Sequence, residues 1–107
     1  MQPIIGTWDV TIKTPIGTLA AVYVFTEVAG TPAGTASTTA ETVPLADVAC
    51  HDNRVTWRQS VTRPMRLNLA FDVAVTGDTL SGHSRAGRLP RTAVAGVRRA
   101  TGESAVP

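Results

Sequence analysis

From Arg54 to Thr62 the side chains divide strictly between two faces, Val55, Trp57, Gln59 and Val61 on one and Thr56, Arg58, Ser60 and Thr62 on the other. The stretch after Arg63-Pro64 repeats the pattern over a longer span. Leu67, Leu69, Phe71, Val73 and Val75 point one way, and Arg66, Asn68, Ala70, Asp72 and Ala74 the other. A period of two places alternate residues on opposite faces of a strand and is incompatible with an amphipathic helix, whose apolar positions recur at three and four. Both stretches therefore belong to a sheet with one face turned to a core.

The rest of the chain reads the same way. In Ile5-Gly6-Thr7-Trp8-Asp9-Val10-Thr11-Ile12-Lys13, the residues Gly6, Trp8, Val10 and Ile12 share the inner face. Thr14-Pro15-Ile16-Gly17 then turns the chain, Pro presetting φ and Gly allowing φ > 0. Leu19 to Val28 is apolar on both faces: Leu19, Ala21, Tyr23 and Phe25 on one, Ala20, Val22, Val24 and Val28 on the other. A turn over Ala29–Gly34 leads to a short Thr/Ala run, Thr35 to Thr39, and then to Val43–Cys50. There Pro44 suits an edge or a strand entrance. His51-Asp52-Asn53 and Thr76-Gly77-Asp78 are hairpin turns. Thr79–Ala86 puts Leu80, Gly82, Ser84 and Ala86 inside. Gly87-Arg88-Leu89-Pro90 turns into Arg91–Arg99, where Val94, Gly96 and Arg98 face in.

Eight extended runs with short connections predict an all-β fold, an eight-stranded antiparallel up-and-down β-barrel, because closure removes the unpaired edges of an open sheet. Closure also makes the first and last strands neighbours. Trp8 and Arg98 then meet at one mouth, the indole beneath the guanidinium.

Gly6-Thr7-Trp8 on the first strand, the late Arg98 and the Gly34-Thr35 start of the third strand resemble the calycin group of lipocalins, fatty-acid-binding proteins and streptavidin-like proteins. The resemblance implies a lipocalin- or streptavidin-like barrel with a ligand in its lumen. Neither lipocalin disulfides nor a secretory start is expected from this sequence, and it does not match the polar biotin contacts of streptavidin. Pro64 through Arg98 also resembles small bacterial domains with no settled activity.

With 107 residues the chain accommodates one barrel domain over residues 1–100, followed by a flexible tail over 101–107. Thr7, Asp9, Thr11 and Lys13 interrupt the first apolar stretch, and no later run approaches about 20 apolar residues. A cytoplasmic protein with no membrane association is expected. Cys50 has no second cysteine to pair with and reads as packing. Two histidines without a carboxylate at ligand spacing give no metal site, and no cofactor fingerprint is present.

The charges are unevenly distributed. Lys13 faces Asp9, Glu27, Glu41, Asp47 and Asp52 in residues 1–52, whereas nine arginines face Asp72, Asp78 and Glu103 beyond them. Such polarity orients charged ligands or pairs subunits. Arg58, Arg63 and Arg66 gather about one hairpin, but the aromatics needed to stack bases point inward, so nucleic-acid binding is not expected. Arg58 and Arg66 are expected to pair with Asp9 or Asp72.

The inner face combines Trp8, Phe25, Trp57, Leu69 and Phe71 with the polar Tyr23, Gln59, Ser84 and Arg98, the make-up of a small-molecule site for an apolar or aromatic ligand. Three readings follow. The lumen binds such a ligand, with Tyr23, Gln59 and Arg98 orienting it. Alternatively, the same walls serve a small isomerase or cyclase, in which Tyr23 or Gln59 donates to developing charge. In the third reading the barrel is packed solid and is an accessory module that forms homo-oligomers through Ala20, Val22 and Val24. Cys50, His51 and Asp52 are sequential, so they point apart and form no relay, and His83 stands on an outer face.

Overall fold

A computed structural model describes residues 4–14, 17–62 and 66–99. The turn residues Pro15 and Ile16, the segment 63–65 and the expected tail at 101–107 lie outside the described residues.

Nine strands make up one antiparallel sheet: β1 (Gly6–Thr14), β2 (Gly17–Val28), β3 (Thr31–Ser37), β4 (Thr42–Pro44), β5 (Ala46–His51), β6 (Arg54–Val61), β7 (Leu67–Thr76), β8 (Thr79–Ala86) and β9 (Thr92–Arg98). Their order is β4-β3-β2-β1-β9-β8-β7-β6-β5, an up-and-down, nearly closed barrel. The first and last strands are neighbours, and Trp8 stands directly across from Arg98. Among the described residues there is no helix, and hence none long and apolar enough to cross a membrane.

The ninth strand arises where the sequence shows one run, Val43–Cys50. The chain changes partners there. Pro44 is paired with Thr35 of β3, and Leu45 extends that pairing by donating its N–H to Gly34 O at 2.9 Å. Ala46 is already opposite Arg58 of β6. One stretch thus supplies both ends of the strand order. Proline has no N–H for a ladder bond, so the break falls where the ladder is weakest.

A bulge between Ala46 and Ala49, with Asp47 at φ 54°, then shifts the face. Val43 and Leu45 pack against the core before it, Val48 and Cys50 after it. An inserted residue in a strand reverses the in/out parity of everything beyond it. The seam is tied by Glu41, whose carboxylate accepts from the Thr62 N–H at 2.8 Å and the Thr62 hydroxyl at 2.7 Å.

The expected turn over Ala29–Gly34 is shorter in the structure. Ala29 and Gly30, both with positive φ, make a two-residue connection, and β3 begins at Thr31. Two left-handed residues match the twist of the flanking strands, so no longer loop is required. Pro32 is tolerated because it lies on the part of β3 beyond the reach of β4. The remaining inner and outer faces are as the alternation requires. Trp8, Val10, Ile12, Ala21, Tyr23, Phe25, Val55, Trp57, Phe71, Val73, Val75, Leu80 and Val94 form the core.

Two charge pairings differ from expectation. Asp9 is held by Arg99, and Asp72 by Arg54, in place of Arg58 and Arg66. Asp72 stands opposite Thr56, with Arg54 and Arg58 each two positions along β6, and Arg54 makes the diagonal contact.

Candidate functional site

All five aromatic residues of the chain, two Trp, one Tyr and two Phe, are buried inside the barrel. Four of them form one cluster. Trp57 stacks on Phe71 with centroids 4.9 Å apart, Phe25 meets Trp57 edge-on at 5.1 Å, and Tyr23 contacts all three. The alternation of β2, β6 and β7 aims these rings at the axis, and offset or tilted ring pairs are the arrangements favoured by the ring quadrupoles.

The polar atoms of the cluster satisfy one another. Tyr23 donates its hydroxyl to Gln59 Oε1 at 2.7 Å, and Trp57 Nε1 donates to the same oxygen at 3.0 Å. Burial holds the Tyr23 phenol well above its ordinary range, so it stays protonated and a donor. Ser84, buried on β8, shares a hydrogen bond with the Thr92 hydroxyl at 3.0 Å. Among the described residues no buried side-chain nitrogen or oxygen lacks a partner.

One end of the lumen is closed by Trp8 and Arg98. The guanidinium carbon lies 4.4 Å from the indole centroid. Arg98 donates to the carbonyls of Ile5 and Gly77 and to Asp78, and Trp8 Nε1 donates to Ile4 O at 2.8 Å. Gly6, at φ 132°, lies under the guanidinium, where a Cβ would be 3.0 Å from an Arg98 nitrogen.

The opposite mouth is a dimple walled by Ile12, Leu19, Val61 and Leu69, with Tyr23 and Gln59 at its floor and a volume of about 20 Å³. That is room for roughly one water molecule. The expected ligand residues are therefore divided: Tyr23, Gln59 and Leu69 line the dimple, Phe25, Trp57 and Phe71 fill the lumen, and Trp8 and Arg98 seal the other end.

A larger depression, about 490 Å³, lies on the outer wall over β6, β7 and β8. Arg58, Asp72, His83, Arg85 and Arg91 border it. Of the arginines grouped about the β6–β7 hairpin, Arg63 lies outside the described residues, and Arg58 also stands in one row with Arg85 across Ala70. Elsewhere, Cys50 packs against the core, and burial, with Glu27 nearby, pushes its thiol up, the opposite of an activated nucleophile. His51 and Asp52 are exposed at the β5–β6 turn. Glu41, Asp78 and Arg99 escaped the sequence reading because their partners are 20 or more residues away.

No protein-family model, curated protein or solved structure matches the chain.

Proposed function

We propose that the protein is a packed-barrel accessory module that works through its outer wall, forming homo-oligomers by the face of β2. The observation that carries this reading is the filled lumen: four rings occupy it, their polar groups bond to one another, and about 20 Å³ remains. A drug-sized ligand needs a cavity of about 300 Å³ or more, so binding within the lumen requires the aromatic cluster to part. A barrel without interior room presents only its exterior to a partner.

The exterior of β2 suits a second copy. Ala20, Val22 and Val24 face out, Val28 on the same face is 63% exposed, and Val97 is 57% exposed one strand beyond Asp9 in the Val22 row. Of the flanking outward residues, Thr7, Thr11, Thr35 and Ser37 are small and uncharged, and the charge of Asp9, opposite Val22, is paired with Arg99. An apolar, sparsely charged wall of this kind is the composition of an interface core. The relation to the calycin barrels belongs to the same proposal and is supported by the Trp8–Arg98 contact.

The test is sedimentation of the wild-type chain and Val22→Asp. The wild type is expected to run as a dimer or larger, and Val22→Asp as a folded monomer. A wild type that is monomeric at high concentration, or a variant of unchanged mass, overturns the reading. Native mass spectrometry of protein from its producing cells examines the lumen-binding alternative directly, since a retained small molecule would favour it.

A further inference from the structure

The up-and-down connectivity has an electrostatic consequence. From β5 to β9 each strand neighbours the next in sequence, so the arginine-rich second half of the chain becomes one contiguous wall. On that wall Arg58 of β6 stands opposite Ala70 of β7, and Ala70 opposite Arg85 of β8. Thr92 pairs with Ser84, so Arg91 just before β9 continues the same row beside Arg85. In the adjacent row His83 follows Thr56 and Asp72.

Like charges gathered on neighbouring strands repel one another, and here little within the chain offsets them. Asp72 is occupied by Arg54, which donates Nε to Oδ1 at 2.7 Å and Nη2 to Oδ2. That arginine holds the Asp72 carboxyl below its usual range, with His83 and Arg91 adding to the effect from a greater distance. Asp47, at the rim, makes no ion pair among the described residues. Arg58 and Arg91 have neither a hydrogen bond nor an ion pair there, and Arg85 commits only its Nε, to Leu89 O at 3.1 Å.

We propose that this groove binds a small phosphate-bearing ligand, its phosphate held over Ala70 between Arg58 and Arg85, with Arg91 and His83 at one side. A carboxylate is satisfied by a single bidentate arginine, as Asp72 is by Arg54. Several guanidinium forks approaching from different strands match an oxyanion whose oxygens lie in more than one plane and whose charge approaches two. Alanine between the two arginines leaves space between them. The groove, about 490 Å³, exceeds a phosphate group and falls within the range of small-molecule sites, which leaves room for the rest of the ligand. No aromatic side chain faces outward on β6, β7 or β8, so the wall has no platform for stacking bases, and single-stranded nucleic acid fits it less well. The site is separate from the β2 face, and its test does not depend on the oligomeric state.

The experiment is an NMR titration of the full chain with inorganic pyrophosphate, followed by the same titration of Arg58→Gln, Arg85→Gln and Lys13→Gln. Lys13 lies outside the groove on β1, so its variant removes the same charge. Saturable shifts are expected at the amides of Ala70, Asp72 and His83, with affinity at least tenfold weaker in each arginine variant and unchanged in Lys13→Gln. Amide shifts outside the groove report whether each variant is folded. The proposal is overturned if shifts fail to saturate by about 10 mM, a very weak limit for a specific site. It is also overturned if Lys13→Gln weakens binding as much as the arginine variants. Titration with oligothymidylates of increasing length supplies the last arm: affinity rising with length and far exceeding that for pyrophosphate replaces the small ligand with a nucleic acid.

Discussion

Arg98 spans the end of the barrel above Trp8, its guanidinium carbon 4.4 Å from the indole centroid, and from that position reaches Asp78 at 2.9 Å and Gly77 O at 3.2 Å. The first strand supplies the ring, the last strand the cation, and the β7–β8 turn the acceptors. The β8–β9 pairing sets the cation beside that turn, and the meeting of β1 and β9 sets both over the ring, so one side chain ties together three parts of the chain.

Arg98→Ala removes the cation–ring contact and several charge-assisted hydrogen bonds together, and is expected to cost about 2–4 kcal/mol. Arg98→Lys keeps a charge above the indole but lacks the planar fork, so it should recover less than half of that loss. Urea denaturation of the two variants measures both values.

Gln59 Oε1 accepts from Tyr23 and from Trp57, so Gln59→Leu strands two buried donors, whereas Tyr23→Phe removes one donor and leaves Gln59 bonded to Trp57. Expected losses are roughly 2–5 kcal/mol for the first and about 1 kcal/mol for the second. Equal losses in denaturant unfolding would show that the lumen donors have another acceptor.

Tyr23 is the only tyrosine, so phenolate absorbance reports it alone. Its pKa in the fold is raised by burial, the hydrogen bond to Gln59 opposing only in part. The unfolded chain ionises near pH 10, where the native state stays protonated. The stabilisation is fully present below about pH 10 and declines above it by up to about 1.4 kcal/mol per pH unit. Phenolate absorbance is expected to rise together with loss of the sheet signal in circular dichroism. A phenolate that forms near pH 10 with the sheet intact contradicts the buried geometry.

At Gly82 a Cβ would come within 2.1 Å of Asp72 O and 2.6 Å of Val73 Cα. Both are backbone atoms of β7, so no side-chain rotation relieves the clash. Gly82→Ala should cost about 1–3 kcal/mol and displace β8 from β7. Hydrogen exchange of the β7–β8 amides, compared with those of β1–β2, locates the effect.

The fold was legible where strand and face coincide over many residues. Leu67–Val75 and Arg54–Thr62 declare their inner sides by alternation alone, and a chain of such runs joined by tight turns has few ways to bury them except by closing. The Trp8–Arg98 meeting followed from closure. Val43–Cys50 was read as one strand because apolar residues stand on both sides of Asp47 and no glycine or asparagine turn divides them. Its division rests on which neighbour each backbone group bonds, and its change of parity on the single bulge at Asp47.

The sequence by itself determined the all-β class, the inward set of aromatics and the uncharged face of β2, because a period of two sorts side chains before any strand finds its partner. Only the tertiary structure decided that the lumen is filled, that Gln59 serves two donors, that Arg54 takes Asp72, and that Arg58 and Arg85 flank Ala70. Those relationships depend on register between strands, and a shift of two residues keeps every face unchanged while replacing every neighbour across the sheet.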